Sequence, residues 1–225
     1  MADTTSSKLA PSHRYRSFPL NLTVATFLTL GASICLWLAS FSAPFIKRFY
    51  YLRVDDQEGV KTKFGTFGYC HGGEFEQCSS RSVGYVAAMM TPIGGSQYRY
   101  NIIPNSEGLT GSLVLTPIAA GLATIAVIWL AVSWFRRRGA LIGFLLAFVA
   151  AIVAVLSFIL ALVAFVVAHR RAKRAGNPRY GAALWLHMSG AIALLLALPF
   201  LLLAWLRQRK NARQSVVTTT TSYRP

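Results

Sequence analysis

The chain has 225 residues, 54% of them apolar, and a net charge of +16. So apolar a composition leaves almost nothing for a water-soluble domain. The charge alone would suggest nucleic acid, but the basic residues sit in short clusters at the ends of apolar runs, which excludes a continuous nucleic-acid-binding face.

Residues 17–46, 108–135, 139–168 and 180–206 contain no Asp, Glu, Lys or Arg, giving runs of 30, 28, 30 and 27 residues. At about 1.5 Å per residue, a helix of that length exceeds a hydrocarbon core of about 30 Å. With no water to satisfy the backbone, each run must be a helix. The expected division is an N-tail (1–17), a first span (18–46), a long loop (47–108), a second span (109–135), a short loop (136–139), a third span (140–168), a loop (169–180), a fourth span (181–206) and a C-tail (207–225). The first run far exceeds a signal-peptide core of about 7–15 residues and is read as an uncleaved span.

The long loop holds six of the seven acids. Phe49 to Val54 is aromatic and β-branched and reads as a strand; Val60 to Tyr69 reads as a second and Ser82 to Met90 as a third. Residues 91–108, rich in Pro, Gly, Asn and Ser, read as an irregular return to the membrane. Cys70 and Cys78 lie eight residues apart in this loop. A disulfide is the most economical reading and requires an exoplasmic setting. The rival is a metal site with His71 as third ligand and Glu74 or Glu76 assisting, although no second pair completes a tetrahedral set.

The second span carries Thr116-Pro117, where a kink is expected. The third contains the clearest pattern: Ala147, Ala150, Ala154, Ser157, Ala161, Ala164 and Ala168 alternate steps of three and four. This heptad seam of small residues suits close helix approach with a left-handed crossing. It packs the span inside its own bundle or, alternatively, forms a homo-oligomer contact. The fourth span carries Pro199, where a bend is expected, and His187, an ionisable group inside a span and so a functional candidate or a hydrogen-bonded packing residue.

Arg136, Arg137 and Arg138 separate spans two and three, and Arg207, Arg209, Lys210 and Arg213 follow span four. Such clusters contact membrane lipid and fix topology. The tally does not settle sidedness. With both termini inside, Lys and Arg number eleven inside and twelve outside. The short loop holding Arg170, Arg171, Lys173, Arg174 and Arg179 opposes that orientation.

No catalytic or cofactor motif stands out: phosphate-cradling loops, zinc-protease helices and nucleophile elbows are absent. Histidines 13, 71, 169 and 187 lie in unrelated segments. Apart from His187 the spans offer only hydroxyls and glycines as polar features, which argues against transport. The chain reads as a non-enzyme with no cofactor.

Several segments carry a family resemblance. They are Phe64-Gly65-Thr66-Phe67-Gly68-Tyr69-Cys70, then Cys78-Ser79, then Val83-Gly84-Tyr85, the span-two opening Leu109 to Gly121, and the span-four opening Tyr180 to Trp185. Together they resemble the fungal PalI-type pH-response regulators and their eisosome-associated relatives, within the claudin-like four-span group. The resemblance implies an all-α four-helix transmembrane bundle with a small extracellular disulfide-linked β-sheet in the first loop. It also implies residence in the plasma membrane with cytoplasmic termini. By carry-over, Phe64, Phe67 and Tyr69 anchor the sheet to the bundle, Gly65 and Gly68 allow close approach, and Gly84 and Tyr85 complete the motif.

Two functions follow from it. One is an accessory role in ambient-pH signalling, assisting a larger seven-span pH sensor. The titratable groups Asp55, Asp56, Glu58, His71, Glu74 and Glu76 would then face outward, and of these only His71 has an ordinary pKa near neutrality. The other is a structural organiser of cortical membrane domains of the eisosome kind. Many PalI proteins carry a long disordered tail and this sequence ends 19 residues after the fourth span, which shifts expectation toward the second. In both cases the partners are other plasma-membrane proteins and lipid.

Overall fold

The computed structural model describes residues 20–56, 60–72, 77–85, 88–93, 96–101, 106–136, 140–173 and 176–221. Helix α1 spans Leu20–Ser40. Strands β1 (Leu52–Asp56), β2 (Lys61–Phe64), β3 (Tyr69–Gly72), β4 (Gln77–Cys78), β5 (Ala88–Ile93) and β6 (Ser96–Asn101) follow. Then come α2 (Ser106–Gly111), a 3-10 turn (Ser112–Val114), α3 (Leu115–Arg136), α4 (Ala140–Ala172), β7 (Gly176–Tyr180) and α5 (Ala182–Thr221).

Four helical segments are long and apolar enough to cross a membrane: Leu20–Ser40, Ser112–Ser133, Leu141–Ala172 and Ala182–Lys210. They close into a ring, in which α1 and α4 occupy opposite corners and each packs on both α3 and α5. The large apolar side chains Phe27, Ile34, Ile128, Leu156, Ile159 and Leu196 point outward. The interior is lined with alanine. Ala32, Ala119, Ala120, Ala123, Ala150, Ala151, Ala154 and Ala191 form one layer with Leu36 and Leu194. In lipid no hydrophobic force drives helices together, so close backbone approach across small side chains supplies the attraction.

The seam on α4 faces this interior. Ala147, Ala150, Ala154, Ser157, Ala161, Ala164 and Ala168 are each at most 2% exposed. It therefore packs the chain's own bundle and is not free to contact a second copy. Pro117 follows closely on the 3-10 turn Ser112–Val114, where the irregularity lies, and α3 runs on through it without a break. Helix α5 is continuous through Pro199 and runs on to Thr221, past the end of the uncharged run at Leu206.

Over one end of the bundle lies a five-stranded antiparallel sheet in the order β4-β3-β2-β1-β7. It differs from the expected sheet in three ways. First, residues 60–69 are not one strand. The chain turns at Gly65–Gly68, where the Gly65 N–H donates to the Gly68 carbonyl at 2.9 Å, and β3 begins at Tyr69. Second, the supposed irregular return contains the β5–β6 hairpin, with Ile93 facing Ser96. Gly94-Gly95 between them is a hairpin signal hidden within a breaker-rich composition. Third, β7 comes from the loop between spans three and four and pairs with β1, from Leu52↔Tyr180 to Asp56↔Gly176. A central proline argues against a strand, but Pro178 is tolerated because β7 is at the sheet edge.

Alternation sets the faces of the sheet. Leu52 and Val54, Thr62 and Phe64, and Pro178 turn inward and are buried. Leu52, Val54 and Phe64 join Tyr85, Leu113, Ala161, Phe165, Ala168, Ala172, Ala183 and Leu184 in one core shared by sheet and helices.

Candidate functional site at the junction of sheet and bundle

Residues 49–51 thread between three elements. The Ala43 N–H donates to the Phe49 carbonyl at 2.8 Å, and the Tyr51 N–H donates to the Phe64 carbonyl at 2.8 Å. The Tyr50 carbonyl accepts from the Ala183 N–H at 3.1 Å, and the Tyr51 carbonyl accepts from Gly181 at 3.0 Å. The start of α5 thus gives its orphan N–H donors to the loop after α1. Two glycines allow these approaches. A Cβ on Gly65 would run into the Ala43 carbonyl, and one on Gly181 into the Tyr50 carbonyl.

Directly beneath lies a buried polar centre to which all four membrane helices or their immediate continuations contribute. The Tyr51 ring stacks on Phe165 at 4.9 Å, nearly parallel. Its hydroxyl is 3.3 Å from His187 Nδ1 on α5. Burial pushes the phenol above its ordinary range. Thr66 donates its hydroxyl to the Ala39 carbonyl at 3.1 Å, and its N–H donates to Ser42 Oγ at 3.0 Å, which ties the Gly65–Gly68 turn to the end of α1. Thr116 on α3 and Ser157 on α4 share a hydrogen bond of 2.8 Å. His187 is wholly buried, with Tyr51 and Phe158 edge-on to its ring. Its Nε2 has no hydrogen-bond partner among the described residues.

The motif residues gather around this centre. Phe64 is buried, in contact with Tyr69, and Tyr69 with Tyr85. Tyr85, also buried, donates its hydroxyl to the Gly65 carbonyl at 2.7 Å and accepts at its own carbonyl from Thr110 Oγ1 at 2.8 Å. Burial raises this phenol too. Gly84 turns the chain ahead of Tyr85 with φ 72°. Gly68 abuts Ser79, whose Oγ accepts the Tyr69 N–H at 3.1 Å. Phe67 points elsewhere, edge-on to Phe45 at the side of the bundle.

Cys70 and Cys78 face each other across β3 and β4 and are joined by a disulfide, Cα atoms 4.0 Å apart. The metal reading thereby loses both thiolates. His71 is half-buried, its Nδ1 2.8 Å from Thr62 Oγ1, in register with Thr62 and Val54 on neighbouring strands. Glu58, Glu74 and Glu76 lie outside the described residues, as do Arg137 and Arg138. Arg136 ends α3. On α5, Arg207, Arg209 and Lys210 are exposed and Arg213 follows; Arg209 lies over Trp205, 5.6 Å from the ring centre. These cations are at the bundle end away from the sheet.

Sequence reasoning missed Tyr51, Thr66, Ser42, Gly181 and the Thr116–Ser157 pair. The available signal was that isolated hydroxyls inside uncharged spans must find partners in a medium without water.

What the centre does chemically is lock parts together. It has hydroxyls and one imidazole sealed from solvent, and no group of three or more His, Cys, Asp or Glu that would hold a metal ion occurs among the described residues. A search of curated proteins finds no match. A family model, that of the SUR7/PalI family, matches residues 21–207, a stretch that takes in the four membrane-spanning helices but for a few end residues, with the sheet and the junction. The chain is therefore a multi-pass membrane protein of claudin-like four-span architecture, and it belongs to the SUR7/PalI family.

Proposed function

We propose that this protein works without chemistry of its own, as a plasma-membrane component with both termini cytoplasmic that assists a larger membrane sensor in ambient-pH signalling. The observation that supports it best is the junction. Tyr51, Thr66, Thr116, Ser157 and His187 are buried and bind the sheet to all four helices, so a partner gripping the sheet acts on the bundle as a rigid whole. The seven-span sensor enters through the family resemblance, as a membrane protein that such a scaffold would hold.

The test is a deletion strain grown at acidic and alkaline pH, with proteolytic activation of the pH-response transcription factor followed in parallel. Loss of alkaline growth together with loss of processing is the expected result. Normal processing would overturn it.

The second reading is an organiser of cortical membrane domains. It is favoured by the exposed Arg207, Arg209 and Lys210 on α5, which suit an anionic inner leaflet. It predicts stable, patchy localisation of a tagged copy, and uniform, freely diffusing fluorescence would contradict it.

A further inference from the structure

The end of the bundle that bears the sheet is also ringed by cations. Arg48 follows α1, Arg81 follows β4, and Arg170, Arg171 and Lys173 close α4; all five are exposed. The one carboxylate whose side chain is described, Asp55, is held by Arg53 through two hydrogen bonds of 2.6 and 3.0 Å. No ion pair joins any of the five to a carboxylate among the described residues.

Arg81 is the best positioned. Its guanidinium lies 4.5 Å from the centre of the Phe45 ring. Phe45 stands edge-on to Phe41 and to Phe67, 5.9 Å from each, and Phe41 stacks on Trp37 at 5.3 Å. This ladder climbs from inside the first span to the chain just past its end, and Phe41 and Phe45 are each 42% exposed. The first membrane-spanning helix ends at Ser40, so Phe41 and Phe45 lie at its membrane–water boundary and hold Arg81 at the depth of the head groups. Stacking occupies a face of the guanidinium and leaves its in-plane N–H donors, which match a phosphate two at a time. Across the ring, Arg170 and Arg171 leave α4 at the same end of the bundle.

We propose that the sheet-bearing end binds lipid whose head group carries a net negative phosphate. Arg81, mounted on Phe45, is the first contact, and Arg170 and Arg171 form a second on the opposite side of the bundle. This binding is independent of the choice between signalling and domain organisation. Each cation close to an anionic surface contributes about 1 kcal/mol, about fivefold in affinity.

The experiment reconstitutes the full chain in phosphatidylcholine nanodiscs containing phosphatidylglycerol and reads, by native mass spectrometry, the ratio of the two lipids retained. The wild type retains phosphatidylglycerol preferentially. Arg81→Gln lowers that preference about fivefold, and adding Arg170→Gln and Arg171→Gln lowers it further. Phe45→Leu, which keeps every charge, lowers it as well. Arg207→Gln with Arg209→Gln, at the far end, serves as the control for lipid held there. An unchanged ratio in both the Arg81, Arg170, Arg171 variant and Phe45→Leu would overturn the proposal. So would loss of the preference on adding inorganic phosphate, which would identify the ligand as a soluble anion.

Discussion

Gly65 and Gly181 are where single atoms decide the structure. Each lies so close to a carbonyl, of Ala43 and Tyr50 respectively, that an added Cβ forces the backbone to shift. Gly65→Ala and Gly181→Ala are each expected to destabilise by about 2–4 kcal/mol, read as a lower midpoint of thermal unfolding in detergent. Gly31 and Gly121 are internal controls, because a Cβ there meets nothing within 4 Å. Their alanine variants should match the wild type to within about 1 kcal/mol. The two buried phenols make a second prediction. Tyr51 and Tyr85 are raised by burial, so the folded state favours their neutral forms. Their contribution is fully present below the ordinary tyrosine pKa of about 10 and is lost as pH rises above it. Absorbance titration should therefore show these two tyrosines failing to ionise until the protein unfolds. Tyr85→Phe should reduce that number by one and cost about 1 kcal/mol for the lost bond to Gly65.

At the scale of elements, Thr116 on α3 and Ser157 on α4 bind each other in the bundle interior. Thr116→Val or Ser157→Ala alone leaves a buried hydroxyl without its partner. The double variant should cost less than the sum of the two, with a coupling of about 0.6–2 kcal/mol, and strict additivity would show that the bond contributes nothing. The Cys70–Cys78 disulfide closes a small ring between neighbouring strands. Reduction should cost at most about 3 kcal/mol and lower the melting temperature while leaving the helical circular dichroism of the bundle in place. The four spans were legible because a chain without water must satisfy its own backbone, and the seam because its period is local to one helix. Strand β7 was not. Its Pro178 and flanking charges disguise it, and only pairing with β1 makes it a strand. The junction was illegible for a related reason. Tyr51 reads as one more aromatic in a strand, and nothing in the sequence links Thr66 to Ser42 or Tyr51 to His187, 136 residues away.

At the scale of the molecule, the two loops on one side of the membrane bundle are a single structure. Strands β1 to β4 come from the loop after span one, and β7 from the loop after span three. The shared core of Leu52, Val54, Phe64, Phe165 and Leu184 then joins that sheet to the helices. A partner bound to either loop would act on both, and through Tyr51 and His187 on the bundle. The proposed assisting role requires such a coupling. The most direct test is a cross-link between the loops. Asp55 and Asn177 face each other across β1 and β7, at a separation that suits a disulfide. In a Cys35→Ser background, the Asp55→Cys, Asn177→Cys variant should oxidise spontaneously to an intramolecular cross-link, joining the two halves after proteolytic cleavage between them. The offset variant Asp55→Cys, Arg179→Cys should cross-link poorly. Equal cross-linking of both, or of neither, would contradict the joined sheet and with it the rigid coupling of loops to bundle.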